Sequence, residues 1–424
     1  MSGRELQATG FKTSMRVVLS DVTIIEGTSR QPYPGHIVID EGQIVDISTS
    51  TVPATAHDVQ VVPCHGWTAL PGLLDAHTHH GALDANVADQ HRNYYDSYAA
   101  IAIGERLTQT LDRGFTTVRD AGGADAGFRL ALRAGLISGP RLLVSGRPLS
   151  QTGGHGDMRR PTEKGDPLGC GAQVGQVRAV VDGVDEVRRA VREELRRGAD
   201  QIKVMASGGV VSPSDRLESS QFSLEELAVA CEEARSAGTY VLAHAYTPEA
   251  IRRCIVAGVR SIEHGNLLDE DTATEMAGQG QFLVPTLVAY EESYRRQQTG
   301  DSPSELLEKL SLVYDEGKEA MRRAVAAGVR IGSGSDLLGP SAVRQARELI
   351  LQAEVQGPLG AIESSTRVNA ELMGLGNVLG TLEVGKLADI LVVDADLSET
   401  VEPICNPRRL RVIMQAGEFH KLTV

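Results

Sequence analysis

Cysteine is scarce in this 424-residue chain, and its five copies stand far apart. Cys64, Cys170, Cys231, Cys254 and Cys405 form no C-x-x-C pair, and the nearest two are 23 positions apart. That spacing excludes a thiolate zinc finger, a redox pair and a disulfide scaffold. It fits a reducing compartment in which the thiols are buried or idle. Long apolar runs are missing as well. No stretch reaches the roughly 20 apolar residues of a transmembrane helix. The opening MSGRELQATGFKTSMRVVLS lacks the apolar core of a secretory leader. A cytoplasmic protein with no membrane association is therefore expected. Basic side chains are outnumbered, 42 against 56 acidic ones, for a formal net charge of −14. This argues against nucleic acid or an anionic bilayer as partner. Wholesale disorder is excluded by 41% hydrophobic and 23% charged residues. Eleven histidines are an ordinary supply; their placement carries the information.

The first 68 residues read as short strands, with β-branched alternation in MRVVLSDVTIIEG and GHIVIDEGQIVDIS broken by Gly and Asp-Glu-Gly turns. The tail reads the same way, in LEVGKLADILVVDADL and RLRVIMQAGEFHKLTV. Strands need partners, so 1–68 and 377–424 are expected to form one small β-sandwich domain from both termini. Between them, 69–376 alternates strands and helices. An amphipathic helix ends at Gly114, Gly198, Gly238, Gly258 or Gly328, and a short apolar strand follows. Glycine suits the left-handed cap because it has no Cβ to clash. Ser223 with Glu226 makes a capping box, and Pro248 after Thr247 opens another helix. LPGLLDAH, FTTVRD, PRLLVSG, QIKVMA, YVLAHA, SIEHG, FLVPTL and RIGSGSD supply eight strands. The fold class expected is α/β, a (β/α)8 TIM-like barrel carrying the small sandwich. A doubly wound sheet is the alternative, but no Gly-rich phosphate loop follows the first strand. The long irregular stretch at 147–185 is a candidate lid or substrate loop.

His77 and His79 end the first of these strands and Asp120 the second. Lys203 sits in the fourth, His244 in the fifth, His264 in the sixth, and Asp336 ends the eighth. In a parallel barrel all C-terminal strand ends gather at one mouth, so residues far apart in sequence can meet around a small ion. Imidazole and carboxylate without thiolate suit Zn2+ best, with Mn, Fe, Co or Ni as alternatives. Lys203 lies in the apolar run Ile202-Lys203-Val204-Met205, where an unpaired ammonium is costly. It either pairs with Asp200 or Asp336, or is deprotonated and carries CO2 as a carbamate that bridges two metals. Asp120 either bonds a metal-ligating histidine from behind or caps a loop, and the cap is the preferred reading.

These pieces, LPGLLDAHTHH, IKVMASGG, LAHA, SIEHG, VPTL, GSGSD and TLEVGKLADILVVD, resemble the metal-dependent amidohydrolase superfamily over nearly the whole chain. The resemblance is to the binuclear, carbamylated-lysine subtype. It implies that His77, His79 and Asp336 hold one divalent metal, and His244 and His264 the other. Carbamylated Lys203 and a water or hydroxide bridge the two. TGGHGDMR and AHAYTPEA resemble the imidazolonepropionase-like branch, which includes Xaa-Pro dipeptidases and Arg/Lys carboxypeptidases. This narrower resemblance implies that His155 contacts the substrate carbonyl oxygen, and it makes Tyr246 a candidate for the substrate's carboxylate or carbonyl. Gly81 stands where some relatives have a polar residue. The activity implied is cleavage of an amide bond in dipeptides or N-acyl amino acids with a free C-terminal carboxylate. Deamination, cyclic-amide opening and hydrolysis of a xenobiotic amide or carbamate are the alternatives; a non-enzymatic metal-binding scaffold is disfavoured because every expected ligand position is filled. An anionic substrate tail needs a cation, for which Arg119, Arg159, Arg160 and Arg216 are loop candidates. Barrels of this kind commonly form a homo-oligomer, although no heptad seam predicts one here.

Overall fold

The computed structural model describes residues 15–28, 30–49, 59–87, 90–159, 162–163, 174–175, 178–210, 215–297 and 304–424. His57, Arg160, Cys170, the side chain of His91 and the centre of the 147–185 stretch lie outside these residues.

The chain opens with β1 (Arg16–Ile24), β2 (Tyr33–Asp40), β3 (Gln43–Ser48), β4 (Val59–Pro63) and β5 (Thr68–Pro71). The barrel strands β6 (Leu73–Thr78), β7 (Phe115–Asp120) and β8 (Arg141–Val144) come next. A short pair, β9 (Leu149–Ser150) and β10 (Ala179–Val180), brackets the long irregular stretch. The barrel resumes with β11 (Ile202–Met205), β12 (Val241–Ala245), β13 (Ser261–His264), β14 (Phe282–Val284) and β15 (Arg330–Ile331). The chain returns in β16 (Ile390–Val393), β17 (Leu410–Gln415) and β18 (Glu418–Leu422).

Both ends of the chain share one eight-stranded sheet, ordered β18-β17-β16-β5-β1-β2-β3 with β4 beside β1. The seam is the antiparallel pairing of β16 with β5, where Leu391 faces Leu70. Alternation along the strands gives the sheet two apolar faces. Leu19, Ile24, Ile37, Val392 and Met414 gather in a core of their own. Leu70, Leu391, Val393 and Leu410 join Ile103, Leu107 and Leu111 of the barrel helix Asp96–Asp112. Apolar contact on the second face is what joins the small domain to the barrel.

All eight expected barrel stretches are strands, and the fold is a (β/α)8 barrel. Its parallel ladder has two breaks, each closed by other hydrogen bonds. At the first, Asp200 N–H donates to Val144 O at 2.7 Å and Val144 N–H donates to Asp200 Oδ2 at 2.9 Å. At the second, Ala76 N–H donates to Ser333 O and Asp336 N–H to His77 O, both at 2.8 Å. Asn369 spans the second break: its amide donates to Leu74 O and Ser333 O at 2.7 Å and accepts from Ser333 N–H at 3.0 Å. The helix starts are as the sequence implies. Ser223 and Glu226 form a complete capping box, Thr247 caps the helix begun by Pro248, and Gly258 ends that helix in the left-handed conformation.

Two stability predictions follow from these contacts. Asn369→Ala leaves three buried backbone groups short of partners and should destabilise the fold by about 2–4 kcal/mol, read from the denaturant midpoint; an unchanged midpoint would remove Asn369 from barrel closure. Glu348, buried, accepts from Val288 N–H at 2.7 Å, and burial raises its carboxyl from an ordinary 4.5 to about 8. The folded state therefore holds its proton more tightly than the unfolded chain, so this stability is complete below about pH 4.5 and lost as pH rises through about 8. In Tm measured between pH 5 and 9, Glu348→Gln should flatten part of the wild-type decline and be the more stable protein at the alkaline end.

Candidate metal centre and catalytic pocket

The C-terminal strand ends deliver the imidazoles to one place. His77 lies in β6 with His79 just beyond it, His244 lies in β12, and His264 ends β13. Ring centroids are 5.2 Å apart for His77 and His79, 5.1 Å for His77 and His264, and 4.5 Å for His244 and His264. Asp336, beyond β15, reaches into the group. Its carboxylate is 3.2 Å from His79 Nε2, 3.5 Å from His77 Nε2 and 3.9 Å from His264 Nδ1. One donor atom each from His77, His79 and Asp336 lies within 4.8 Å of the others. His264 and Asp336 have φ of 77° and 50°, and the β-branched Thr286 has 48°. Such backbone costs about 1–3 kcal/mol per residue and collects at functional sites.

Every imidazole in the group has one nitrogen anchored to the protein. Nδ1 of His77 meets Glu263 Oε2 at 2.6 Å, Nδ1 of His79 meets Gly122 O at 2.7 Å, and Nδ1 of His264 meets Thr286 Oγ1 at 2.8 Å. His244 is anchored the other way round, through Nε2 to Gly208 O at 3.1 Å. The carboxylate and carbonyl acceptors fix the tautomers of His77, His79 and His244, and all four contacts orient the rings. His77 Nε2 is buried with no hydrogen-bond partner, a rare state for a polar atom unless a ligand completes it.

Burial keeps three of the rings neutral. It lowers His264 to about 3, and it holds His77 and His244 well below the ordinary histidine range, helped by the charges of Lys203 and His155 respectively. Neutral imidazole is the ligating form. Burial alone would raise the Asp336 carboxyl, but His77, His79 and His264 outweigh it and keep the group well below the usual carboxylate range. Lys203 is 1% exposed, and burial pushes its amine down to about 8 against the pull of Glu263 and Asp336. Asp200, one partner the sequence suggests for Lys203, is instead occupied by Arg129 and Val144 N–H. Three neutral imidazoles with the His79 ring beside them, an ionised carboxylate and an amine that loses its proton near neutrality fit divalent metal ions.

His155 stacks on His244 with centroids 4.3 Å apart and planes 15° from parallel. Its Nδ1 is 3.4 Å from Asp215 Oδ2, and its backbone N–H donates to Gln221 Oε1 at 2.8 Å. A Cβ on Gly209 would overlap the His155 ring, which explains the second glycine of ASGG. Tyr246 is buried beside His264, its hydroxyl 2.7 Å from that of Tyr290. All eight residues singled out in the sequence line one pocket. A Cβ on Gly81 would stand 2.5 Å from Gly123 O, so no side chain fits there to recognise a substrate.

One candidate is corrected. Arg119 belongs to no loop: it lies in β7, fully buried, and bonds Glu263 at 2.9 Å, Ser261 Oγ at 3.1 Å and Ala76 O at 2.5 Å. Strand alternation turns it into the barrel interior, beneath the histidines. Arg159 is held by Asp157 at 2.5 Å, and Arg216 is exposed with Glu218 3.7 Å away. Asp120 caps its loop, accepting from His80, Gly122 and Ala124 N–H. Glu263 escapes sequence reasoning because His77, which it orients, lies 186 positions earlier.

Thr286→Val keeps shape but removes the anchor of His264 Nδ1. Chelator competition should show metal held about 10–100-fold more weakly; unchanged retention would show that this bond does not orient the ring.

The amidohydrolase family profile matches residues 68–419. Ochratoxinase of Aspergillus niger is 34% identical over 376 residues, which cover 83% of this chain and 75% of the relative. A crystal structure of a prolidase complexed with N-methylphosphonate-L-proline superposes with a TM-score of 0.92 at 40% identity, covering 96% of this chain and 100% of that one. A Xaa-Pro dipeptidase with methionine bound in its active site superposes with a TM-score of 0.85 at 30% identity, again over 96% and 100%. With the profile spanning every barrel strand and the imidazole cluster at their ends, the chain belongs to the amidohydrolase family.

Proposed function

We propose that the protein is a prolidase-like amide hydrolase that holds two divalent metal ions, Zn2+ suiting the donors best, and cleaves dipeptides or N-acyl amino acids bearing a free C-terminal carboxylate. The observation that carries this reading is the Asp336 carboxylate, set against three imidazoles at 3.2–3.9 Å in the pocket that also holds His155. The proline derivative bound by the prolidase relative supports proline as the departing residue.

In this reading His77, His79 and Asp336 hold one ion and His244 and His264 the other. When bound, such ions supply hydroxide from water near neutral pH and polarise a carbonyl. Lys203 has the low amine pKa that carbamylation needs. Its neutral Nζ would add to the carbon of CO2 and release one proton to solvent, giving a carbamate whose oxygens would supply the metal ions with an anionic ligand in place of an ammonium. Asp336, ionised at working pH, accepts the proton of the attacking water and delivers it to the leaving nitrogen. His155 donates to the carbonyl oxygen as negative charge develops there, a contribution of roughly 3–4 kcal/mol for a well-placed donor. Tyr246 meets the substrate's carbonyl or carboxylate.

Metal analysis joined to a library of dipeptides and N-acyl amino acids tests this. About two ions per chain and release of a free amino acid are expected; one ion with ammonia release would replace the reading with deamination. Asp336→Asn should lower kcat on the order of 10³-fold while most of the metal stays bound. Near wild-type turnover in that variant would sink the assignment.

A further inference from the structure

Arg178 stands immediately before β10, whose parallel pairing with β9 fixes it over the loop that carries His155. Ala179 N–H donates to Pro148 O at 3.0 Å at the same point. A Cβ on Gly156 would lie 3.4 Å from Arg178 Cδ, so the arginine stem passes directly alongside the residue after His155. The side chain lines the same pocket as His79, His155 and Tyr246. Its Nε is buried without a hydrogen-bond partner. Among the described residues nothing ion-pairs with it, and burial lowers its pKa to about 10 with no carboxylate to offset the effect.

Other sheltered arginines have oxygen partners: Arg106 and Arg260 donate to backbone carbonyls and Arg113 to Gln345. Arg119 is paired with Glu263 at 2.9 Å and Arg141 with Asp389 at 2.6 Å. The carboxylates that line this pocket are also occupied: Asp336 faces the histidines, and Glu292 is held by Arg295 and Arg344. Arg178 is partly buried, and leaving its Nε out of water and unpaired is costly. Its planar fork matches a carboxylate through two parallel N–H···O bonds.

We infer that Arg178 is the specificity-determining cation of the pocket, pairing with the free carboxylate of the substrate while His155, on the neighbouring loop, meets the scissile carbonyl. This rests on the amide-hydrolase reading above and deepens it: substrates with a free terminal carboxylate are selected over their neutral amides and esters. Arg178 touches the substrate and takes no part in proton transfer.

The test compares wild type, Arg178→Gln and Arg178→Lys on N-acetyl-L-proline and its neutral carboxamide. For the acid, Arg178→Gln should lower kcat/KM about 30- to 100-fold, chiefly through KM, as expected for a lost charged hydrogen-bond pair. Turnover of the carboxamide should stay within twofold, and Arg178→Lys should fall between. An equal loss on both substrates would make Arg178 a structural residue and overturn the inference, as would no loss on either. If metal-loaded wild type cleaves neither compound, the hydrolase reading fails, and calorimetric titration of the two compounds decides the role of Arg178 separately. Binding of the acid over the amide, lost in Arg178→Gln, supports it; equal binding by both proteins rejects it.

Discussion

The arrangement depends on one buried chain of charge: Arg119 to Glu263 at 2.9 Å, and Glu263 to His77 at 2.6 Å, with all three side chains at most 1% exposed. Removing one partner from such a pair leaves an uncompensated charge, at a cost of about 3–5 kcal/mol. Here the pair does more than balance itself. Arg119 also reaches Ser261 Oγ and Ala76 O, so one guanidinium ties β6, β7 and β13 together inside the barrel. The other oxygen of Glu263 then determines which nitrogen of His77 points toward the centre. Barrel integrity and ring orientation rest on the same few atoms.

Around that chain the site is kept dry and positively constrained. Burial, reinforced by neighbouring positive charge, makes the rings poor proton acceptors, as seen at His264, His77 and His244. The same burial makes Lys203 a poor ammonium and lets neighbouring imidazoles hold Asp336 ionised. Desolvation thus prepares neutral nitrogen donors and a reactive amine, while the neighbouring imidazoles overcome it to keep the carboxylate ionised in the same pocket. The strained φ values of His264, Thr286 and Asp336 are the conformational cost of aiming these groups inward from the ends of short strands.

Much of this was legible beforehand. Helix caps, the eight strand stretches and the strand-end histidines are local signals, and a parallel barrel turns strand ends into neighbours without further information. The pocket therefore contains all eight residues expected to hold metal or meet substrate. Arg119 shows where such reading stops. Its position in FTTVRD is evident, but whether a strand arginine faces solvent or the barrel interior depends on the register of strands that the sequence does not print. Glu263 was invisible for the same reason, since its partner lies 186 residues away. Arg178 carries no motif at all and becomes notable only because β9 and β10 pair beside His155.

The sequence by itself determined the fold class, the split sheet shared by the two ends of the chain, and the identity of the candidate ligands, because periodicity, caps and strand-end placement are properties of short segments. Only the tertiary structure decided which nitrogen of each histidine is anchored, which arginine is internal and which, among the described residues, has no carboxylate beside it in the pocket. Those outcomes depend on desolvation and on hydrogen bonds between residues 20 to 190 positions apart, and no local pattern encodes them.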